Sequence, residues 1–253
     1  MILTAAGVVM ILVAMTYAYN ILGTRMAENE FLSSQQFMST TGKQIDDIAW
    51  TIGRTQTVTY SSQYGMVNFV PATLTYSVDI HTSSGWQPTL NYQTGIVDYN
   101  MPVSFYTRGN GYFELIPNYA NRTFLEEGST APVSQVFSAQ KVPMHDGNYL
   151  RTVVAPTVRI LDSGNYFKFY LPTLANTTNF YRSQSLTMSG DGISKVTQTG
   201  VDQVKVTLTF SRAGEGFDSS FFNFRQVTET KTVASGSIVE FYVASVNVAV
   251  GNS

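Results

Sequence analysis

The sequence predicts an α+β protein in which a long N-terminal hydrophobic α-helix precedes an all-β globular head of the β-sandwich, Ig-like class. Three observations support this. The first 22 residues carry no charged side chain, the helical pattern continues without proline to about residue 53, and beyond Arg54 the chain becomes rich in Thr, Tyr, Val and Ser. We therefore expect a helical domain over residues 1–54 and a head domain over residues 55–253.

The helix is predicted first from the apolar run Met1 to Leu22. At 1.5 Å per residue a helix over this run would be roughly 33 Å long, which is enough to cross a bilayer core. After the run, apolar side chains recur at a spacing of seven, with one more on the same face. They predict an amphipathic continuation to about Gly53, and they are Phe31, Met38, Ile45 and Ile52, with Ile48 between the last two.

The head is predicted from short runs of alternating apolar and polar residues separated by turn residues. Residues 73–80 alternate in this way, and residues 151–162 and 166–171 predict a hairpin around Ser-Gly-Asn. Further strands are expected at 55–60, 66–70, 111–116, 183–189, 193–199, 201–211, 224–233 and 237–250, with tight turns at 190–192 and 234–236. The sequence shows no internal repeat, so one head domain is expected, the alternative being a division near residue 150.

Composition excludes some classes of function. Lys plus Arg number 15 against 17 Asp plus Glu, so no basic surface for nucleic acid is expected. The chain has no cysteine, which excludes disulfides and thiolate metal sites. Charged residues make up only 13% of the chain and aromatic residues another 13%. This balance is typical of heads that pack side by side, and equally of a β-rich extracellular domain.

Residues able to perform chemistry are few. The two histidines, His81 and His145, have no partner at a spacing typical of metal ligands. The pair Glu126-Glu127 is expected to be a solvated acidic patch, and Asp191 lacks the neighbouring oxygen ligands of a calcium loop. We therefore expect no catalytic residue, no metal site and no cofactor, and the chain is not predicted to be an enzyme.

The charges around the apolar run distinguish several kinds of N-terminal segment. No Lys or Arg precedes Arg25, and the run is longer than the core of a signal peptide, which argues against a cleaved signal. Arg25 alone would place the head in the cytoplasm by the positive-inside rule. An extracellular head therefore implies a basic leader that once preceded Met1 and was removed.

Taken together, this layout resembles a mature subunit of the archaeal type IV pilin and archaellin superfamily. The fifth position is Ala5, where bacterial type IV pilins carry Glu, and this favours the archaeal branch. The resemblance implies a leader cut off by a prepilin peptidase and an assembly motor. It also implies apolar helices packed into a filament core, β heads outside, and a role in adhesion or motility.

On this hypothesis the partners are further copies of the chain, with a membrane before assembly. Small residues such as Ala6, Gly7, Ala14 and Gly23 would let helices approach closely. The residues expected to pack in the filament core are Ile2, Leu3, Ala6, Val9, Met10, Val13, Leu22, Phe31, Met38, Ile45, Ile48 and Ile52. If the head is extracellular, the sequons at Asn121 and Asn176 could carry N-glycans.

A second hypothesis is a single-span, membrane-anchored β-domain that binds carbohydrate or protein outside the cell. Trp86, Tyr92 and Tyr99 are its candidate aromatic platform. The apolar face from Phe31 to Ile52 bears on the choice. An anchor needs no such face beyond Leu22, whereas a filament helix does, unless the face packs on the chain's own head.

Overall fold

The structure is a computed structural model that describes residues 2–116, 122–164, 166–177 and 184–251, without the side chains of residues 2–6 and 235. Its first element is one unbroken helix, α1 (Ile2–Ala49), of 48 residues. At 1.5 Å per residue α1 is roughly 72 Å long. The predicted long N-terminal helix is therefore confirmed, and it includes both the apolar run and its amphipathic continuation.

The helix ends four residues before the predicted end. The backbone N–H of Thr51 bonds to the carbonyl of Ile48, and Gly53 adopts a φ of 78°, which favours glycine. The chain then joins the sheet, because Gly53 donates to the carbonyl of Gly190 at 2.9 Å. Ile52 therefore lies outside the helix.

The rest of the described chain is mainly strand. The strands are β1 (Thr55–Thr59), β2 (Met66–Thr82), β3 (Gly85–Pro102), β4 (Phe113–Leu115), β5 (Leu125–Glu127), β6 (Ser134–Gln140), β7 (Tyr149–Pro156), β8 (Val158–Asp162), β9 (Tyr166–Asn176), β10 (Ser185–Phe210) and β11 (Thr228–Gly251). A 3₁₀ turn (Ala213–Glu215) and the short helix α2 (Ser219–Phe222) connect β10 to β11.

These strands form one large mixed sheet in the order β4-β6-β7-β3-β2-β10-β11-β9-β8-β5, with β1 paired to the first part of β10. Two pairs, β9 with β11 and β5 with β8, are parallel, and the remaining pairs are antiparallel. The predicted hairpin is present, since β8 and β9 pair antiparallel from Arg159 opposite Tyr170 to Asp162 opposite Phe167.

Two predicted turns are wrong. Residues 190–192 and 234–236 lie inside β10 and β11, which run 26 and 24 residues as paired partners. The glycines there coincide with register shifts, which are bulges that bend the ladder without ending it. Residues 85–102, where no strand was predicted, form the 18-residue strand β3.

The sheet and helix enclose two apolar cores. Strands from both ends of the sheet contribute to the first core, for example Phe137 on β6, Phe169 on β9 and Val206 on β10. The second core lies between the sheet and the C-terminal part of α1, and it includes Met38 on the helix with Val97 on β3 and Val246 on β11. Strands β6 and β7 are buried on both faces because they separate the two cores. The latter half of α1 is thus part of the head.

Candidate assembly surface and head–helix junction

The first half of α1 stands clear of the head. From Val8 to Met26 its large apolar side chains are exposed, and Met10 is 69% accessible. By length and composition α1 is able to cross a membrane, and its most apolar stretch has no residue buried in the described chain. The expected core residues Val9, Met10, Val13 and Leu22 lie on this exposed segment. Ile2, Leu3 and Ala6 belong to α1, but their side chains are outside the description.

The exposed segment also has room for close helix packing. A Cβ built at Gly7 or at Gly23 meets no atom within 4 Å. Without a side chain at these two positions, the backbone of another helix could approach more closely than it could at Leu or Met.

The second half of α1 is covered by the head. Its buried residues alternate at spacings of four and three, as expected for one face of a helix. The residues with this spacing are Ala27, Phe31, Ser34, Met38, Thr41, Ile45 and Ile48, and Gly42 and Ala49 are buried beside them. Polar contacts fasten the same face, since Ser134 on β6 donates to the carbonyl of Gly42 at 2.9 Å.

This arrangement corrects part of the expected filament core. Phe31, Met38, Ile45 and Ile48 are at most 1% accessible and touch the sheet of their own chain, so they have no surface left for a neighbouring helix. Ile52 is 64% exposed and lies beyond the end of the helix, so its predicted place on the buried face is also wrong.

Glu30 forms the junction where α1 enters the head. Its carboxylate accepts backbone N–H bonds from Gln63 at 2.8 Å, Tyr64 at 3.1 Å and Gly65 at 2.8 Å. It also accepts the hydroxyl of Tyr99 on β3 at 2.7 Å. One side chain of the helix therefore holds both the loop between β1 and β2 and the neighbouring strand. We call this set of contacts the Glu30 clasp.

The clasp changes the acidity of its members. Burial disfavours the Glu30 carboxylate, but the hydrogen bonds from Tyr99 and from the backbone of Gln63, Gly65 and Tyr64 outweigh it and lower its pKa. The pKa of Tyr99 rises well above its usual value because the hydroxyl is buried and because it donates to Glu30. Glu30 is thus ionised and Tyr99 protonated at neutral pH, as their hydrogen bond requires.

Next to the clasp, aromatic side chains surround α1. The Tyr64 ring lies 5.2 Å from the Phe105 ring, and its hydroxyl is 3.9 Å from the sulfur of Met26. Tyr106 packs 5.7 Å from Phe31 and donates to Glu28 at 3.4 Å. We call Met26, Tyr64, Phe105 and Tyr106 the collar. It lies where the bare part of the helix leaves the head.

A polar cluster is buried on the first-core side of β3 and β7. The Arg151 side chain is fully buried, donates from Nε to Asn100 at 2.7 Å, and is paired with Asp146. Burial raises the pKa of neighbouring Asp98 to about 6, although Arg151, Asn68 and Asn100 act in the opposite direction. Among the described residues, Asp98 Oδ1 and Arg151 Nη1 find no partner.

The residues considered for chemistry do not converge. His81 contacts Asp202 at 2.7 Å and the Trp86 ring at 5.2 Å, while His145 lies on the loop between β6 and β7. Glu127 pairs with Lys231 at 2.7 Å, and Asp191 lies in the bulge of β10. Within the described ranges, no three His, Asp or Glu side chains are grouped so as to hold a metal ion.

The proposed aromatic platform is not one surface. Trp86 is 44% exposed, but Tyr99 is buried in the clasp and Tyr92 stacks on Tyr76 at 5.4 Å against the first core. Of the two sequons, Asn176 is exposed at the end of β9, while Asn121 lies outside the described residues.

Comparison with known proteins gives no relative. No protein-family model, no curated protein sequence and no solved structure matches the chain.

Proposed function

We propose that the chain is the structural subunit of an extracellular filament of the type IV pilus or archaellum kind, used in adhesion or motility. One observation carries the proposal. A single unbroken helix is bare and apolar over its first half and embedded in a β-rich head over its second half.

The bare half of α1 requires a partner. Large apolar side chains are exposed around the whole circumference between Val8 and Leu22, which is unfavourable in water. A membrane would hold this segment in the precursor, and neighbouring helices would replace the lipid in the filament. Dispersion contacts drive such an exchange, and the gaps at Gly7 and Gly23 would allow them.

The head would form the outer layer of the filament, and we propose that it is a β-sandwich of the Ig-like class. The shared first core supports a folded-over sheet, because residues from both ends of the strand order meet there. Exposed Asn176 would be available for N-glycosylation on an extracellular surface. Processing by a prepilin peptidase and extrusion by a motor follow from the resemblance to the pilin superfamily.

A membrane-anchored β-domain that binds carbohydrate or protein is the second candidate. It is favoured by the covering of Phe31, Met38 and Ile45 by the chain's own sheet, because this face then needs no neighbouring helix. Of its proposed platform, Trp86 is the member that remains exposed.

Electron microscopy of the native material, with an intact mass spectrum of the same sample, tests the proposal. We expect helical fibres whose subunit mass matches a chain that begins at Met1, and any excess mass would indicate a covalent modification. Monodisperse particles or detergent-bound monomers, with no fibre containing the chain, would overturn the filament and favour the anchored domain.

A further inference from the structure

We propose that the collar is a membrane-binding surface that seats the base of the head in the headgroup layer of a lipid bilayer before assembly. This inference rests on the membrane-inserted precursor of the proposed function. It goes further by giving the head itself a lipid contact, at Met26, Tyr64, Phe105 and Tyr106.

The collar is apolar where a soluble head would be polar. Phe105 is 46% exposed and Met26 is 49% exposed. Tyr64 joins them, with its ring against Phe105 and its hydroxyl near the Met26 sulfur. Aromatic rings with one polar end are the side chains enriched at membrane–water boundaries.

The position of the collar along α1 matches the thickness of a bilayer. From Ile2 to Arg25 the helix rises roughly 35 Å at 1.5 Å per residue. This is slightly more than the roughly 30 Å thickness of the hydrocarbon core, and a small tilt of the helix would take up the difference. When this stretch spans the membrane, Met26 and the rings around it reach the headgroup layer. The collar is continuous with the apolar helix surface, so both surfaces face one occupant.

Charged side chains of both signs lie around the collar, as they do where a protein meets lipid headgroups. Arg25 is 72% exposed, and Arg108 lies over the Tyr112 ring and bonds to the Tyr106 hydroxyl. Glu28 pairs with Arg25, Glu30 lies within the clasp, and Glu114 accepts the Tyr112 hydroxyl. The apolar rings, rather than a net charge, therefore carry the contact with lipid.

The geometry of the clasp keeps the collar fixed on the helix. Because Glu30 bonds the backbone of Gln63, Tyr64 and Gly65 directly, this loop cannot move away from α1 without breaking these bonds. The depth of the collar is therefore set by the depth of the helix.

Site-directed spin labelling tests the proposal, and the absence of native cysteine makes single-cysteine variants clean. The variants are Phe105→Cys and Ser104→Cys at the collar, Leu12→Cys as a reference in the span, and Tyr166→Cys as a reference in water. Tyr166 is exposed and pairs with Ile238, so it lies roughly 40 Å along β11 from the base of the head. The full-length chain is placed in vesicles of mixed anionic and zwitterionic lipid, and collisions with oxygen and with a water-soluble nickel chelate are measured.

The expected result is a graded shift in the ratio of nickel to oxygen collisions. It should be lowest at position 12, intermediate at positions 104 and 105, and water-like at position 166. Purely zwitterionic vesicles should give the same order, because the contact is made by apolar rings.

Two outcomes would overturn the proposal. A buried probe at position 12 with water-like probes at positions 104 and 105 would reject the collar while leaving the span and the filament standing. The second outcome is that the collar probes are water-like in vesicles and become immobilised only in assembled fibres. It would assign the collar to contacts between subunits instead. Loss of fibres in microscopy, with the collar probes still in the headgroup layer, would reject the filament alone.

Discussion

The carboxylate of Glu30 on α1 accepts the hydroxyl of Tyr99 on β3 at 2.7 Å, at the point where the bare helix meets the head. Three backbone N–H groups converge on the same carboxylate. We expect Glu30→Gln to lower the free energy of unfolding by about 2 kcal/mol, because an amide leaves buried donors without a charged acceptor.

Urea unfolding in detergent measures this change. Because the folded pKa of Glu30 is lowered, its stabilising contribution is present above the unfolded pKa and is lost as pH falls through the folded pKa. The difference in unfolding free energy between the wild-type chain and Glu30→Gln should therefore become smaller in acid. Glu28→Gln, which removes an exposed pair with Arg25, is the control and should cost less than about 1 kcal/mol. Equal stability of the two variants would contradict the clasp.

Two methionines on the same helix should differ sharply in their contribution to the stability of the head. Met38 is 0% accessible against the sheet, whereas Met10 is exposed. Met38→Ala should destabilise the head by about 2–5 kcal/mol through lost burial and a residual cavity, and Met10→Ala should change it by less than about 0.5 kcal/mol. Denaturant unfolding of both in one detergent gives the comparison. A stable Met38→Ala head would mean that the second half of α1 is not part of the core.

Gly190 is where β10 passes the end of α1. A Cβ there would lie 2.6 Å from the carbonyl oxygen of Thr51 and 2.7 Å from that of Ile48. Gly190→Ala should cost about 1–3 kcal/mol, since backbone must move to admit the methyl group. Gly192→Ala is the matched control, because its Cβ meets nothing within 4 Å. Melting curves that coincide would show that this close approach is not required.

Asp98 should make the head more stable in mild acid than at alkaline pH. Its folded pKa of about 6 lies above the usual value, so stability is greatest below the unfolded pKa and falls as pH rises through 6. Relative to Asp98→Asn, the wild-type chain should lose about 3 kcal/mol of unfolding free energy between pH 3.5 and pH 7.5, because the folded pKa of about 6 lies above the ordinary value of 3.8. A pH-independent difference between the two would show that Asp98 is not buried as described.

The filament proposal is tested by a charge on the bare helix. Val13→Asp should abolish fibres, because a carboxylate in an apolar core costs about 3 kcal/mol per subunit even on insertion scales. Ile52→Asp introduces the same charge at an exposed position outside the helix and should leave the fibres intact. Fibre counts by electron microscopy at equal expression decide, and fibres from Val13→Asp would contradict a core built from this segment.

Sequence alone predicted the helix well because its signals are local. The uncharged run and the seven-residue spacing of Phe31, Met38 and Ile45 lie within one stretch of chain, and all three side chains are buried on one face. The partner that covers this face could not be predicted, because an apolar stripe does not distinguish a neighbouring subunit from the chain's own sheet.

The strand order and the clasp were beyond the reach of local patterns. Gly190 and Gly192 have the composition of a tight turn, but pairing with β11 and the nearby end of α1 makes them a bulge. Glu30 is one polar residue among many on the helix, and its partners at positions 63–65 and 99 come from distant parts of the chain. No spacing within the sequence connects them.

The unbroken helix has a mechanical consequence. The buried stripe from Ala27 to Ile48 extends roughly 32 Å along the axis of α1, parallel to any force that pulls on its apolar end. Such a force acts in shear on the contacts of the stripe and on the Glu30 hydrogen bonds at the same time. All of these contacts must therefore break together before the helix can leave the head. If a flexible linker joined the apolar segment to the head instead, the same force could break the contacts at the attachment point one after another.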